Sequence, residues 1–140
     1  MVKTKTRILI DTHVFLWIFI EPKRFTESAR QFIIDTDAYD FFLSDASSWE
    51  ISIKFGIGKL KLPKPPERFV VERVRLAQYR HLPIALEHVL SVHLLPPLHG
   101  DPFDRLIISQ AMAEDMTIMT ADPVFSHYDV KTLDFQQIGK

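Results

Sequence analysis

The sequence predicts an α/β fold, a three-layer α/β/α sandwich around a central, mainly parallel sheet of four to five strands. Two observations predict it. Short, continuous apolar runs alternate with longer segments of helical pattern. Acidic residues follow several of these runs, where strands of a parallel sheet would end. The length of 140 residues, of which 46% are hydrophobic, suits a single domain over residues 1–140 with one core.

The first half of the chain supplies two strands and three helices. The run RILI, ending at Ile10, is typical of a buried parallel strand. Thr26 is a candidate N-cap for the second helix, and Ser44 or Asp45 for the third, which Gly56 and Gly58 end. We predict strands at 7–10 and 40–44 and helices at 14–20, 26–35 and 45–55.

The second half begins with a basic, proline-rich connection at 59–66. The strongest helix signal is Asp101 followed by Pro102, since an acidic N-cap with proline at the first helical position favours a helix start. We predict helices at 67–80, 86–94 and 101–115, and strands at 81–84, 116–120 and 130–133. Right-handed crossovers between parallel strands then place helices on both faces of the sheet.

Composition excludes several function classes. The absence of cysteine excludes disulfides, thiolate zinc sites and cysteine nucleophiles. The net charge of -1 excludes nucleic-acid binding through bulk charge, so such a function requires a local basic surface. No segment reaches the roughly 18–20 apolar residues of a membrane span, and we expect a cytoplasmic protein.

Four acidic residues lie where the predicted sheet would bring them together: Asp11, Glu50, Asp104 and Asp122. Side chains at the carboxyl ends of parallel strands converge on one crevice. A cluster of carboxylates there is costly unless a cation neutralises it, and hard divalent cations prefer oxygen ligands. The pattern therefore indicates a metal site.

Each acid also has an interpretation without function. Asp11 and Asp122 could cap the helical turns that follow them, and both Asp101 and Asp104 could cap or complement their helix. Asp104 aligns with the inward face of that helix and is the better ligand candidate. Glu50 falls on an apolar helix face, where a carboxylate is rarely present for stability, although it could pair with a buried cation.

Other polar residues carry weaker signals. Arg105 could bind a phosphate, but a surface ion pair is the expected use. A basic group could contact a phosphate backbone or simply form a solvated face; it comprises Lys54, Lys59, Lys61, Lys64 and Arg68. The six histidines show no zinc-site spacing.

Taken together, four segments resemble the PIN-domain ribonucleases, and specifically the VapC-like toxins of type II toxin–antitoxin pairs. They are residues 10–17 (IDTHVFLW), 44–54 (SDASSWEISIK), 99–111 (HGDPFDRLIISQA) and 120–122 (TAD). Each motif is weak alone, but their order and spacing match along nearly the whole chain.

The resemblance implies a PIN-like fold whose acidic site is Asp11, Glu50, Asp104 and Asp122, with one or two Mg²⁺ or Mn²⁺ ions. It implies a hydroxyl residue beside the site, either Thr12 or Thr120, and leaves Lys54 and Arg105 as weaker candidates for orienting a substrate. It also implies hydrolysis of RNA phosphodiesters, a homodimer, and a cognate antitoxin. The metal would activate water for in-line attack.

Three alternatives remain open. One is a Mg²⁺-dependent phosphatase or phosphotransferase with Asp11 as nucleophile, although such sites generally need a second Asp where His13 stands. Another is a non-catalytic, receiver-like or partner-binding α/β domain whose acids are caps. The third is a nuclease acting on DNA flaps, which the short chain disfavours.

Overall fold

The centre of the molecule is a parallel sheet. The structure is a computed structural model that describes residues 4–138, and within that range the sheet has five strands in the order β3-β2-β1-β4-β5, with every neighbouring pair parallel. The strands are β1 (Thr6–Ile10), β2 (Tyr39–Ser44), β3 (Arg80–Leu82), β4 (Thr117–Thr120) and β5 (Thr132–Asp134). This confirms the predicted α/β class, and the sheet is wholly rather than mainly parallel.

Six α-helices connect the strands. They are α1 (Thr12–Ile20), α2 (Glu27–Ile33), α3 (Asp45–Gly56), α4 (Pro66–Leu76), α5 (Leu86–Leu90) and α6 (Pro102–Glu114). Short 3-10 turns lie at Pro22–Arg24, Val92–Leu94, Pro123–His127 and Phe135–Gln137. Two predicted caps are confirmed, because the Thr26 hydroxyl accepts the Ala29 N–H and the Ser44 hydroxyl accepts the Ala46 N–H.

Alternate residues of the central strand point to opposite faces of the sheet, which creates two cores. Ile8 and Ile10 pack in one cluster with residues of α1, α2 and α4. Leu9, between them, packs in the other cluster, where Ile107 and Ile108 of α6 cover the sheet. The two covered faces confirm the three-layer sandwich.

The helix predicted at 67–80 is too long. It ends at Leu76, because Gln78 adopts a left-handed backbone with φ of 62° and turns the chain into β3. The strand predicted at 81–84 is accordingly Arg80–Leu82, and Tyr79 enters the core.

The helix predicted at 86–94 is also wrong in extent, since α5 ends at Leu90 and a separate 3-10 turn follows. Its leucines at helical spacing do not face the core: Leu86 is 72% exposed, Leu90 61% and Leu94 72%. No buried stripe therefore holds the segment as one helix. Smaller shifts place α2 at Glu27–Ile33 and β5 at Thr132–Asp134.

Within residues 4–138, none of the helices has the length and hydropathy that crossing a membrane requires.

Candidate metal centre

Asp11 lies at the centre of the sheet's carboxyl edge. It directly follows β1, and its backbone N–H donates to the Met119 carbonyl of β4 at 2.9 Å. Although Asp11 occupies the N-cap position of α1, its side chain makes no capping hydrogen bond, and the residue is only 3% exposed. Helix capping therefore does not account for this carboxylate.

Thr120 connects two of the four acids. Its hydroxyl donates to Oδ2 of Asp11 at 2.9 Å and accepts the backbone N–H of Asp122 at 3.0 Å. The Asp122 carboxylate is exposed and caps the following 3-10 turn by accepting the Val124 N–H at 3.0 Å. Asp122 thus lies at the periphery, with one carboxylate oxygen already engaged.

Glu50 is buried on α3, with 4% of the residue exposed. Its Oε2 lies 2.8 Å from Nζ of Lys54, one helical turn further along. This ion pair supplies a counter-ion in the absence of metal. The pair also gives support to the alternative in which Glu50 is a structural residue.

The two aspartates at the start of α6 have different surroundings. Oδ1 of Asp101 accepts the N–H groups of Phe103 and Asp104, at 2.9 and 3.1 Å, so Asp101 is the helix cap. Asp104 makes no capping bond of its own and is mostly buried. Asp104 therefore remains the ligand candidate of the two.

Burial and neighbouring negative charge raise the pKa of Asp104 to about 8. Burial is the larger cause, and the carboxylates of Asp101, Asp11, Glu50 and Asp122 add to it.

Burial likewise raises the pKa of the Asp11 carboxyl, and the charge of Glu50 raises it further. The Thr120 hydroxyl, the charge of His13 and the Thr12 N–H oppose this rise without cancelling it. The charge of Glu50 thus helps to raise the pKa of both Asp11 and Asp104, although the three sequence positions span more than ninety residues.

This crowding suits a hard divalent cation. Acids that are buried and repel one another bind a proton more readily than usual, and a divalent cation relieves the same repulsion. The donor set is made of carboxylate oxygens, which Mg²⁺ and Mn²⁺ prefer. Asp11, Glu50 and Asp104 would hold such an ion, with Asp122 at its periphery.

A second group of possible ligands lies elsewhere, at Glu87, His88 and Glu114. Among residues 4–138, it is the group whose ligand atoms all lie within 4.8 Å of one another, and the carboxylates of Asp11, Glu50 and Asp104 are spread more widely than this. However, Nδ1 of His88 accepts the Ala85 N–H at 2.9 Å, so the ring proton is on Nε2, which faces Glu114 at 3.0 Å. A ring with both nitrogens engaged has no lone pair for a metal, and this group is a structural hydrogen-bond chain.

Two contacts near Asp104 were not predicted. Nε2 of His99 lies 3.4 Å from Oδ2 of Asp104, and Nδ1 of His99 lies 2.6 Å from the Tyr128 hydroxyl. His99 belongs to the same motif as Asp104. However, it lies in the loop before α6, and a loop has no hydrophobic periodicity from which its contact with Asp104 could be predicted. His99 is therefore a further residue of the site.

The remaining candidates have distinct placements. The Thr12 hydroxyl is buried and donates to Ser47 at 2.8 Å, which joins α1 to α3. The prediction that Arg105 forms a surface ion pair is wrong, since within the described residues its guanidinium has no carboxylate partner. Its guanidinium instead donates to backbone carbonyls of the preceding loop and to the Tyr128 hydroxyl; the carbonyls are those of Val92, Leu95 and Pro96.

Solved structures share the architecture of this chain. A chain in the crystal structure of VapBC2 from Rickettsia felis, bound to a DNA fragment from its promoter, aligns with a TM-score of 0.69 and 15% identity, covering 91% of this chain and 98% of that one. A chain of FitAcB from Neisseria gonorrhoeae aligns with a TM-score of 0.62 and 20% identity, covering 93% and 99%. A FitAB structure bound to the IR36 DNA fragment gives a TM-score of 0.58 and 22% identity, covering 95% and 98%. At these identities the likeness establishes the fold.

The sequence itself gives the family. No curated protein matches it. The family model of the PIN domain matches residues 8–131, a range that includes all four acids. The chain belongs to the PIN domain family.

Proposed function

We propose that the protein is a metal-dependent endoribonuclease, the toxin of a toxin–antitoxin pair, folded as one domain over residues 1–140. The observation that carries the proposal is that Asp11 and Glu50 are buried at the carboxyl edge of the sheet and that their charges both help to raise the pKa of Asp104. PIN domains are generally nucleases, and a nuclease site of this type needs acidic groups that share cations.

The residues of the chain have separable tasks in this mechanism. One or two Mg²⁺ or Mn²⁺ ions, when bound, would supply Lewis acidity and charge neutralisation at the scissile phosphate. Asp11, Glu50 and Asp104 would hold the cation. The Thr120 hydroxyl donates to Oδ2 of Asp11 and holds that oxygen in place. It also accepts the backbone N–H of Asp122 and so positions the backbone of this peripheral acid.

His99 would share a hydrogen bond with Asp104 through Nε2, the ring nitrogen that faces its carboxylate at 3.4 Å. The Tyr128 hydroxyl bonds the opposite ring nitrogen and holds the ring in place. This arrangement assigns His99 to orienting Asp104 rather than to attacking the substrate.

The proposed partners follow from the resemblance to VapC-like toxins. The fold likeness to chains of VapBC2 and FitAB supports a cognate antitoxin. RNA as the substrate and a homodimer as the assembly rest on the resemblance alone. Base preference depends on loop shape that neither the sequence nor the fold fixes.

The test is cleavage of a structured, randomised RNA pool with Mg²⁺ or Mn²⁺, followed by sequencing of the ends. The proposal expects cleavage by the wild type and by Asp37→Asn, which removes an exposed carboxylate away from the site. It expects none with Asp11→Asn or with EDTA. Cleavage that persists in Asp11→Asn would contradict the proposed site.

A non-catalytic, partner-binding domain is the second candidate, and the Glu50–Lys54 ion pair is the observation that favours it. It expects no Mn²⁺ binding by calorimetry in either the wild type or Glu50→Gln. The ribonuclease expects Mn²⁺ binding that Glu50→Gln weakens. Calorimetry on these two proteins therefore separates the candidates without any RNA.

A further inference from the structure

A pocket of about 270 Å³ adjoins the carboxylate site between α1, the end of α3 and the loop that follows α3. Its lining includes Thr12, His13, Trp17, Lys54, Lys59 and Lys61, and we call it the lysine pocket. Glu21 also lines it, and its carboxylate is paired with Arg24 at 3.3 Å. We infer that the lysine pocket binds one nucleotide of a single-stranded RNA, next to the phosphodiester held at the carboxylates. This inference rests on the proposed function and names where its substrate lies.

The lysine pocket and the carboxylate site share their boundary. Thr12 and His13 are the two residues directly after Asp11. On the other side, Lys54 lines the pocket and at the same time contacts Glu50 at 2.8 Å. A strand whose scissile phosphate sits at the acids therefore has its neighbouring nucleotide within reach of the pocket.

The cations of the pocket are suited to phosphate. Lys59 and Lys61 are exposed, and within residues 4–138 neither has a carboxylate oxygen within 4.0 Å. Gly58 has a φ of 77°, which only glycine adopts readily, and it folds the loop back over α3 so that the Lys59 N–H donates to the Lys54 carbonyl at 2.9 Å. Backbone geometry thus brings three lysines together in a protein whose net charge is -1.

The opposite wall offers a surface for a base. Trp17 is half-buried, and its ring is held by the Arg24 guanidinium at 4.5 Å from the ring centre and by Phe135 at 5.5 Å. Aromatic side chains beside a cationic groove are the usual means of holding single-stranded nucleic acid without sequence preference. The pocket volume of about 270 Å³ favours one nucleotide as its occupant.

An acidic protein segment is the other occupant that three lysines would attract. The structure favours RNA because the lysines adjoin a site of buried carboxylates, which repels an acidic peptide but, once it holds a cation, attracts a phosphodiester. The aromatic wall adds a contact that a nucleobase fills.

The test measures RNA binding separately from cleavage. A fluorescein-labelled, 12-nucleotide single-stranded RNA of mixed sequence is titrated at low salt, once in EDTA and once in Ca²⁺, a hard cation that oxygen ligands bind, with anisotropy as the readout. The proteins are the wild type, the Lys59→Gln/Lys61→Gln double variant, and a control that removes the same charge elsewhere, Arg75→Gln/Lys131→Gln. In a Trp49→Phe background, Trp17 is the single tryptophan and its fluorescence reports stacking.

We expect the double variant to bind on the order of tenfold more weakly and the slope of log affinity against log salt to fall by about 1 to 1.5. The control should stay within about twofold, since it keeps the same formal charge as the double variant. RNA binding should quench the fluorescence of Trp17 in the Trp49→Phe background.

Three results would overturn the inference. The first is no RNA binding by the wild type at low salt, and the second is an equal loss of affinity in the double variant and the control. The third is RNA binding that leaves Trp17 fluorescence unquenched and that polyglutamate displaces as well as unlabelled RNA does. The last would assign the pocket to an acidic polypeptide. RNA binding at the pocket together with a failure of metal-dependent cleavage would instead overturn the proposed function and leave the pocket in place.

Discussion

Replacing Asp104 by Asn should stabilise the metal-free protein. In the folded chain, burial and like charge raise the pKa of Asp104 to about 8, whereas the ordinary value is 3.8. The stability that this group contributes is fully present below pH 3.8 and is lost as pH rises through about 8. At pH 7 the loss amounts to at most about 4 kcal/mol, at 1.36 kcal/mol per pH unit, and Asn avoids it.

Urea unfolding in EDTA between pH 5 and 9 measures this effect. The wild type should lose stability as pH rises, Asp104→Asn should lose less, and the gap should widen towards pH 8. Asp37→Asn, an exposed site, should follow the wild type. Saturating Mn²⁺ should raise the stability of the wild type at pH 8 and leave Asp104→Asn nearly unchanged. A wild-type stability that is flat over this range, with no effect of Asp104→Asn, would refute the reasoning.

Three further substitutions test separate contacts. Lys54→Gln removes the counter-ion of Glu50, so Mn²⁺ no longer competes with an ammonium group and should bind more tightly by calorimetry; weaker binding would contradict this. Thr120→Val removes the hydrogen bond to Asp11. It should lower the free energy of unfolding by about 1–3 kcal/mol and should also lower the rate of RNA cleavage. An unchanged cleavage rate would show that Asp11 needs no such partner. Arg105→Gln loosens the 92–96 segment and should cost about 1–2 kcal/mol with unchanged Mn²⁺ affinity, whereas a loss of that affinity would place Arg105 in the metal centre.

The sheet was predictable because its signals are local. The run before Asp11 and the run before Asp122 are apolar and short, which indicates buried strands, and their order along the chain fixes the edge on which the acids meet. Asp101 was predictable as a cap from the proline that follows it. The Glu50–Lys54 pair had a visible signal too, since residues four apart on a helix are neighbours.

The contacts that sequence reasoning missed depend on loops. His99 reaches Asp104 because the segment before α6 folds back, and Arg105 is held by carbonyls that exist only in that folded segment. The end of α4 was missed because Gln78 takes a left-handed conformation for which glycine is the usual marker. These features arise from tertiary packing, which a residue pattern does not encode.

The order of the strands has a consequence for synthesis. β1, which carries Asp11, lies in the middle of the sheet, and its partner on one side is β4, made more than a hundred residues later. A growing chain that has reached α5 holds Asp11 and Glu50 but has neither Asp104 nor the hydroxyl of Thr120. The proposed nuclease would therefore lack a complete site until the last third of the chain has joined the first.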